Sequence, residues 1–259
     1  MKTVILCGGF GTRIRNVTDD IPKPMNLIGG YPILWHIMNY YAHWGYKEFI
    51  LCLGYKGNII KDFFLNYDFH TRDCTVTLGN NKSIVCEENH PKHEWKATLA
   101  DTGLNTLTGA RVKRVQKYLV GQENFMLTYG DGVGNIDINK LLKFHLAHKK
   151  ILTVSGVRPP GRFGELIFDN NNLVTGFNEK PQVSEGRISG GFFVCRKELF
   201  DYLEDREDLI FEQEPIKKLV EEKQMMVFKH DGFWQPMDTY RDYLLLNNLY
   251  MSGKAPWVL

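Results

Sequence analysis

Residues 1–13 read MKTVILCGGFGTR, and the passage from Thr3 to Gly11 decides the fold class. Residues 3–7 form a short apolar, β-branched run that stops at Gly8-Gly9-Phe10-Gly11. An apolar run of this length closed by glycines predicts a buried strand feeding a glycine-rich loop. Working outward, residues 32–43 (PILWHIMNYYAH) have helix length and set Ile33, Ile37, Tyr40 and Tyr41 on one face. Residues 48–53 are strand-like again, and residues 58–65 make a short amphipathic helix. Strand, loop, helix, strand, helix is the signature of an α/β fold with a parallel sheet and crossover helices.

The remainder extends this pattern and then changes it. Residues 67–97 are more polar, with short alternating runs (CTVTL, SIVCEE) that predict irregular loops and a hairpin. A helix ends over residues 112–119, and residues 124–129 form a strand that stops at Gly130-Asp131-Gly132. Residues 138–148 are a helix with Leu141, Leu142 and His145 on one face and Asp137 as N-cap. Beyond Ile151 the strand-like segments ILTVSGV, GELIF, LVTGF and GGFFVC follow closely, separated by turn residues. Helices are expected over residues 197–203, 215–223 and 238–251, with a strand over 225–229. There is no internal repeat or low-complexity linker. The expectation is one domain over 1–259, with a nucleotide-binding core (1–150) and a β-rich substrate-binding part (151–259).

Composition bounds the function. A hydrophobic fraction of 43% and a charged fraction of 24% are those of an ordered globular protein. The formal net charge is +2 with no long basic run, so nucleic acid is not an expected partner. The N-terminal apolar stretch is too short for a signal-peptide core, and no later run reaches membrane-spanning length, so a cytoplasmic protein away from membranes is expected. Cys7, Cys52, Cys74, Cys86 and Cys195 are odd in number and lack C-x-x-C spacing. They are read as reduced thiols, and structural zinc is disfavoured.

Three constellations carry chemistry. Gly8-Gly9-Phe10-Gly11-Thr12-Arg13 is followed by Pro22-Lys23-Pro24-Met25. Glycines after a strand let backbone N–H groups approach phosphate oxygens, and Arg13 and Lys23 would add fixed positive charge, Lys23 being aimed by its two prolines on an extended segment. A tight turn with two surface cations is the alternative. The loop fits neither G-x-G-x-x-G nor the P-loop pattern, which argues against a Rossmann dehydrogenase or a P-loop enzyme. Tyr129-Gly130-Asp131-Gly132 ends a predicted strand, the edge where parallel sheets bind ligands, and its carboxylate suits a hard divalent cation. Asp238, in Trp234-Gln235-Pro236-Met237-Asp238-Thr239, is the second carboxylate chosen; turn chemistry for Asp131 and an N-cap for Asp238 are the alternatives. The third constellation is Phe177-Asn178-Glu179-Lys180-Pro181 with Gly190-Gly191, an exposed ion pair being the alternative, and Asp101-Thr102-Gly103 through Arg111 adds a loop of hydrogen-bonding groups.

Read together, GGFGTR, PKPM, GGYPILWHIM, GYKG, DTG, YGDG, PPGRFG, EKP, GGFFV, EQEP and GFWQPMDT resemble, in order and over nearly the whole chain, the glucose-1-phosphate cytidylyltransferases, a branch of the sugar-nucleotide pyrophosphorylases. The resemblance implies a Rossmann-like mixed sheet flanked by helices, magnesium dependence and a homo-oligomeric enzyme taking CTP and a sugar 1-phosphate. It implies that Leu6, Cys7, Gly8, Gly9, Phe10, Gly11, Thr12 and Arg13 wrap the nucleotide, with Lys23 beside its phosphates. Thr106 and Arg111 would contact CTP, and Gly130 would lie against the substrate. Asp131 and Asp238 would hold magnesium, and Glu179, Lys180, Ser189 and Gly190 would meet the sugar phosphate. Arg13, Lys23 and Asp131 are the catalytic candidates. The chain departs from the family at Cys7 (alanine there), Phe10 (leucine) and Ser189 (asparagine). Two other functions stay open on the residues: the same chemistry with another acceptor or nucleotide, and a regulatory module without catalysis.

Overall fold

The computed structural model describes residues 1–11, 21–80, 82–87, 94–159, 165–168, 173–178 and 186–259. Strand β1 (Lys2–Leu6) leads, past a 3₁₀ turn (Lys23–Met25), to β2 (Leu27–Ile28), β3 (Tyr31–Pro32), α1 (Ile33–His43), β4 (Glu48–Leu53), α2 (Gly57–Leu65) and α3 (Tyr67–Thr71). The hairpin β5 (Cys74–Thr77) and β6 (Ser83–Cys86) precedes β7 (Lys96–Asp101), α4 (Thr108–Arg114), β8 (Asn124–Tyr129) and β9 (Gly132–Gly134). Then come α5 (Ile138–His148), β10 (Leu152–Val157), β11 (Glu165–Phe168), β12 (Val174–Asn178) and β13 (Ile188–Arg196). A 3₁₀ segment (Lys197–Tyr202), α6 (Glu214–Glu221), β14 (Met225–His230), β15 (Trp234–Pro236) and α7 (Tyr240–Met251) follow.

Seven strands form the central sheet in the order β14-β10-β13-β8-β1-β4-β7. All neighbours pair in parallel except across β13, which runs antiparallel to both β10 and β8, so the sheet is mixed. Side chains alternate between two apolar layers, as the two-residue period of a strand requires. Ile5, Leu51, Met126 and Phe192 face the layer formed with α1, α2, α5 and α7. Val4, Leu6, Ile50, Leu127 and Phe193 face the layer formed with α4 and α6. Burial on both faces explains why the central strands read as continuous apolar runs.

β1 is the pivot of the topology. The chain builds outward from it through β4 and β7 on one side, then returns to lay β8 against its other edge. The carboxyl ends of β1 and β8 therefore flank a topological switch point, where open α/β sheets place their binding crevice.

Several expectations are corrected. Cys74 and Cys86 are opposed in the β5–β6 register and form a disulfide, while Cys7, Cys52 and Cys195 are free and buried. The sequence spacing gave no sign of a bond that depends on hairpin register. Lys23 begins a 3₁₀ turn, with only Pro22 extended before it. Asp238 is not the N-cap of the last helix. Thr239 is, with its side chain on the Asp242 N–H and the Asp242 carboxylate returning to the cap backbone. Residues 197–203, expected as a helix, are 3₁₀ over Lys197–Tyr202, and α4 stops at Arg114 before a 3₁₀ turn over Gln116–Leu119. β7 lies in a stretch from which no strand was expected; its pairing with β4 and not its own pattern makes it one.

Candidate active site

A cleft of about 340 Å³ opens at the switch point. Leu6, Cys7, Gly8, Gly9 and Gly11 from the end of β1 line it together with Lys23, Thr106, Arg111, Gly130, Asp131 and Asp238. Eleven residues expected at the nucleotide or metal site are thus brought into one concavity. Phe10 is half exposed and leans on Tyr55, with ring centroids 5.1 Å apart, and does not line the cleft. Thr12, Arg13, Glu179 and Lys180 lie outside the described residues.

Arg111 shapes the loop. Its guanidinium, 4% exposed, donates to the carbonyls of Gly8 (3.0 Å), Leu53 (2.9 Å), Gly103 (2.8 Å) and Leu104 (3.2 Å) and to Thr102 Oγ1 (2.7 Å). One buried side chain therefore ties the glycine-rich turn to the segment after β7. The approach is so close that a Cβ at Gly8 would fall 2.2 Å from the guanidinium, which accounts for glycine there. Burial pulls the pKa of Arg111 below the ordinary guanidinium range. Thr106, equally buried, accepts from Arg114 Nη1 at 2.7 Å. Cys7 is held by its N–H on the Cys52 carbonyl (3.0 Å), and burial keeps its thiol well above the usual range, so it is wall and not nucleophile.

Charge concentrates at one end of the cleft. Lys23 Nζ donates to Asp131 Oδ2 and Asp238 Oδ1, each at 2.6 Å. The two carboxylates come from positions far apart in the chain. β15 pairs with β9, and the Met237 N–H donates to the Asp131 carbonyl at 2.8 Å, so the pairing delivers Asp238 beside Asp131. Burial disfavours the Lys23 charge, but the two carboxylates outweigh it and hold the ammonium above its usual range. An ammonium caught between two hard oxygens marks a cation position. Two carboxylates without sulfur or imidazole fit magnesium, which completes its shell from phosphate and water. Among the described residues no third His, Cys, Asp or Glu joins them.

A smaller recess, about 50 Å³, adjoins the cleft and shares Tyr129 and Asp131 with it. Ser189 and Gly190, expected at the sugar phosphate, line it with Gly191, Trp234 and Pro236. The Trp234 indole N–H donates to the Gly190 carbonyl at 2.7 Å, and Ser189 Oγ accepts from the Gly191 N–H at 3.3 Å. Tyr129, Thr108 and Trp234 also line these recesses, and the sequence alone assigned them no role. Their signal lay in quoted motifs: Tyr129 opens YGDG and Trp234 lies in GFWQPMDT.

Residues 2–253 match the nucleotidyl transferase family. Glucose-1-phosphate cytidylyltransferase of Salmonella typhi is 47% identical over 99% of this chain and 98% of its own. The probable glucose-1-phosphate cytidylyltransferase of Bacillus subtilis (strain 168) is 43% identical over 99% of both. Among solved structures, HddC from Yersinia pseudotuberculosis complexed with GMP-PN superposes with a TM-score of 0.67 at 25% identity, over 96% of this chain and 99% of that one. With its switch-point cleft, its mixed sheet and these relatives, the chain belongs to the nucleotidyl transferase family and, within it, groups with the glucose-1-phosphate cytidylyltransferases.

Proposed function

We propose that this chain transfers the cytidylyl group of CTP to α-D-glucose 1-phosphate, giving CDP-glucose and pyrophosphate. A phosphate oxygen of the sugar 1-phosphate attacks the α-phosphorus of CTP. The new P–O bond forms as the bond from that phosphorus to the α,β-bridging oxygen breaks, and the electron pair leaves on pyrophosphate. The attacking oxygen is already ionised, so the barrier is chiefly that of holding two polyanions in line. The observation that carries the reading is the meeting of Lys23, Asp131 and Asp238 where the nucleotide cleft joins the smaller recess. The glycine-rich turn and Thr106 would bind the nucleotide, and Ser189 and Gly190 the sugar. Asp131 and Asp238 would hold magnesium, which when bound neutralises phosphate charge. Arg13, Glu179 and Lys180 are assigned to the triphosphate and the acceptor phosphate on their correspondence to the family's motifs. Arg111 would act on the nucleotide through the loops it ties.

Relatives named for glucose 1-phosphate and cytidylyl transfer support the substrate pair. The same correspondence supports a homo-oligomeric cytoplasmic enzyme, for which light scattering in solution is the check. Among the described residues no helix is long and apolar enough to cross a membrane. Ser189 motivates a second reading, in which the acceptor is another sugar 1-phosphate. Pyrophosphate release across a matrix of five nucleoside triphosphates and a panel of sugar 1-phosphates tests both. CTP with glucose 1-phosphate should give the highest kcat/KM, because a pocket matched to the cytosine amine leaves polar groups unpaired against uracil. Equal turnover with UTP would remove the cytidylyl assignment, and a better acceptor would install the second reading.

A further inference from the structure

Glu212 touches neither recess, yet its two oxygens reach one side chain on each. It lies on the segment entering α6, exposed on its outer side. One carboxylate oxygen accepts from the Tyr129 hydroxyl, and the other accepts from Thr108 Oγ1 at 2.7 Å. Thr108 belongs to the wall of the nucleotide cleft. Tyr129 is the partition between that cleft and the smaller recess, lining both. Its ring lies against the backbone of Gly191, where a Cβ would stand 2.6 Å from Tyr129 Cδ2 and where φ is +76°.

The segment carrying Glu212 is itself locked to the nucleotide side. The Leu107 N–H donates to the Glu207 carbonyl (2.8 Å), the Gly109 N–H to the Leu209 carbonyl (2.9 Å), and the Phe211 N–H to Thr108 Oγ1 (2.9 Å). Thr108 thus accepts from the backbone and donates to Glu212, which fixes its hydroxyl proton. Without Glu212 the Tyr129 ring would keep its apolar contacts with Phe193 but lose the bond that sets its tilt. The floor of the acceptor recess and the wall of the nucleotide cleft would then be free to move apart.

We propose that Glu212 is a positioning residue, which couples the two substrate recesses by bracing Tyr129 against Thr108. The proposal rests on the reading of the smaller recess as the acceptor site. It predicts a geometric role: Glu212→Gln keeps an acceptor for Tyr129, while its amide N–H can donate to the second lone pair of Thr108 Oγ1 once that hydroxyl proton turns away, and so should work. Glu212→Ala and Tyr129→Phe both cut the brace.

The experiment is a double-mutant cycle with steady-state kinetics, varying CTP and acceptor in turn, on variants whose unfolding midpoints are measured alongside. Glu212→Ala and Tyr129→Phe should each lower kcat/KM for the acceptor about tenfold, the scale of one hydrogen bond to a charged group. The double variant should be no worse than either single one, and Glu212→Gln should stay within about twofold of the parent. KM for CTP should move less than KM for the acceptor. Additive losses, a Gln variant as poor as the Ala variant, or unchanged acceptor kinetics in Tyr129→Phe would each overturn the proposal. Failure of the parent protein to turn over any sugar 1-phosphate would instead overturn the functional reading beneath it.

Discussion

Lys23 presents two demands that compete. The sequence shows a cation aimed by prolines and suggests phosphate as its partner, whereas the structure gives it two carboxylates at 2.6 Å. Those are the oxygens assigned to magnesium, so an ammonium and a dication contend for one position. Removing the ammonium should therefore improve binding of a bare divalent ion: Lys23→Met is expected to bind Mn²⁺ at least about tenfold more tightly, as read by electron paramagnetic resonance of the nucleotide-free protein. Its turnover should nonetheless fall by on the order of a hundredfold, because the cation is also wanted on the charge that develops at the phosphates. Asp131→Asn and Asp238→Asn should lose both Mn²⁺ binding and turnover while keeping the unfolding midpoint. Unchanged Mn²⁺ affinity in Lys23→Met would mean that the carboxylates hold the lysine and nothing else. The residues of this cluster were legible because charge flanked by glycine or proline is a local signal. Their mutual contact was not, since β9 and β15 are three residues each and too short to read as a pair.

At the scale of elements, the hairpin β5–β6 stands apart from the central sheet. It pairs only with itself among the described strands, and Val76, Leu78, Ile84 and Val85 on it are exposed. A lone two-stranded ribbon is marginal in water, which gives the Cys74–Cys86 bond a local task. Closing a loop of this size contributes about 3 kcal/mol in the chain-entropy account, and only to the unit it closes. Replacing both cysteines by serine should accelerate amide hydrogen exchange over residues 74–86 by about a hundredfold. Protection in β1 and β8, and steady-state kinetics, should stay as in the parent. A parallel loss of protection in β1 would show that the hairpin is part of the core. Strands buried on both faces were legible in their own residues; β8 matches residue for residue, as does β4. Elements that owe their state to a neighbour were not: β7 carries Lys96 and Asp101 at its ends and becomes a strand because β4 offers it an edge. Arg111 belongs to the same class. Its place at the end of a loop of hydrogen-bonding groups was evident, but its five acceptors come from three separate segments.

The stability of the whole molecule should follow pH through two buried histidines. His36 donates from Nε2 to the Ile28 carbonyl at 2.8 Å, with the edges of Tyr31, Trp35, Tyr250 and Trp257 around its ring. Burial lowers it to about 4. His145 lies 2.8 Å from Thr153 Oγ1 and 3.2 Å from Asn124 Oδ1. Burial, then His148 and Arg196, lower it to about 4 as well. Its protonation state follows from the network. The Lys150 N–H donates to His148 Nδ1, so His148 Nε2–H must donate to Thr153, whose hydroxyl proton is left for His145 Nδ1. A second proton on His145 would have to displace the Thr153 hydroxyl proton from that bond. Both groups therefore bind their proton in the unfolded chain near pH 6.5 but in the folded one only near 4. The unfolded state holds more protons throughout that window, so stability is full above it and is lost as pH falls through it. At the alkaline end the buried thiols of Cys7, Cys52 and Cys195, held protonated above their ordinary range, set the opposite edge: stability is lost as pH rises through about 9, where the unfolded thiols ionise, and further past 10, where unfolded Tyr41 does. The free energy of unfolding from urea titrations should be flat only between about pH 7 and 8. Below pH 6 it should fall with a slope of at least about 3 kcal/mol per unit, the value for the two protons of His36 and His145, to which His148 and His230, also lowered by burial, add. His36→Phe keeps the ring and removes one titration, at the cost of an unpaired Ile28 carbonyl worth about 1–3 kcal/mol. Its acid slope should then be shallower than the parent's by the value for one proton, about 1.4 kcal/mol per unit. A slope unchanged in this variant would show that His36 takes no part in the acid loss.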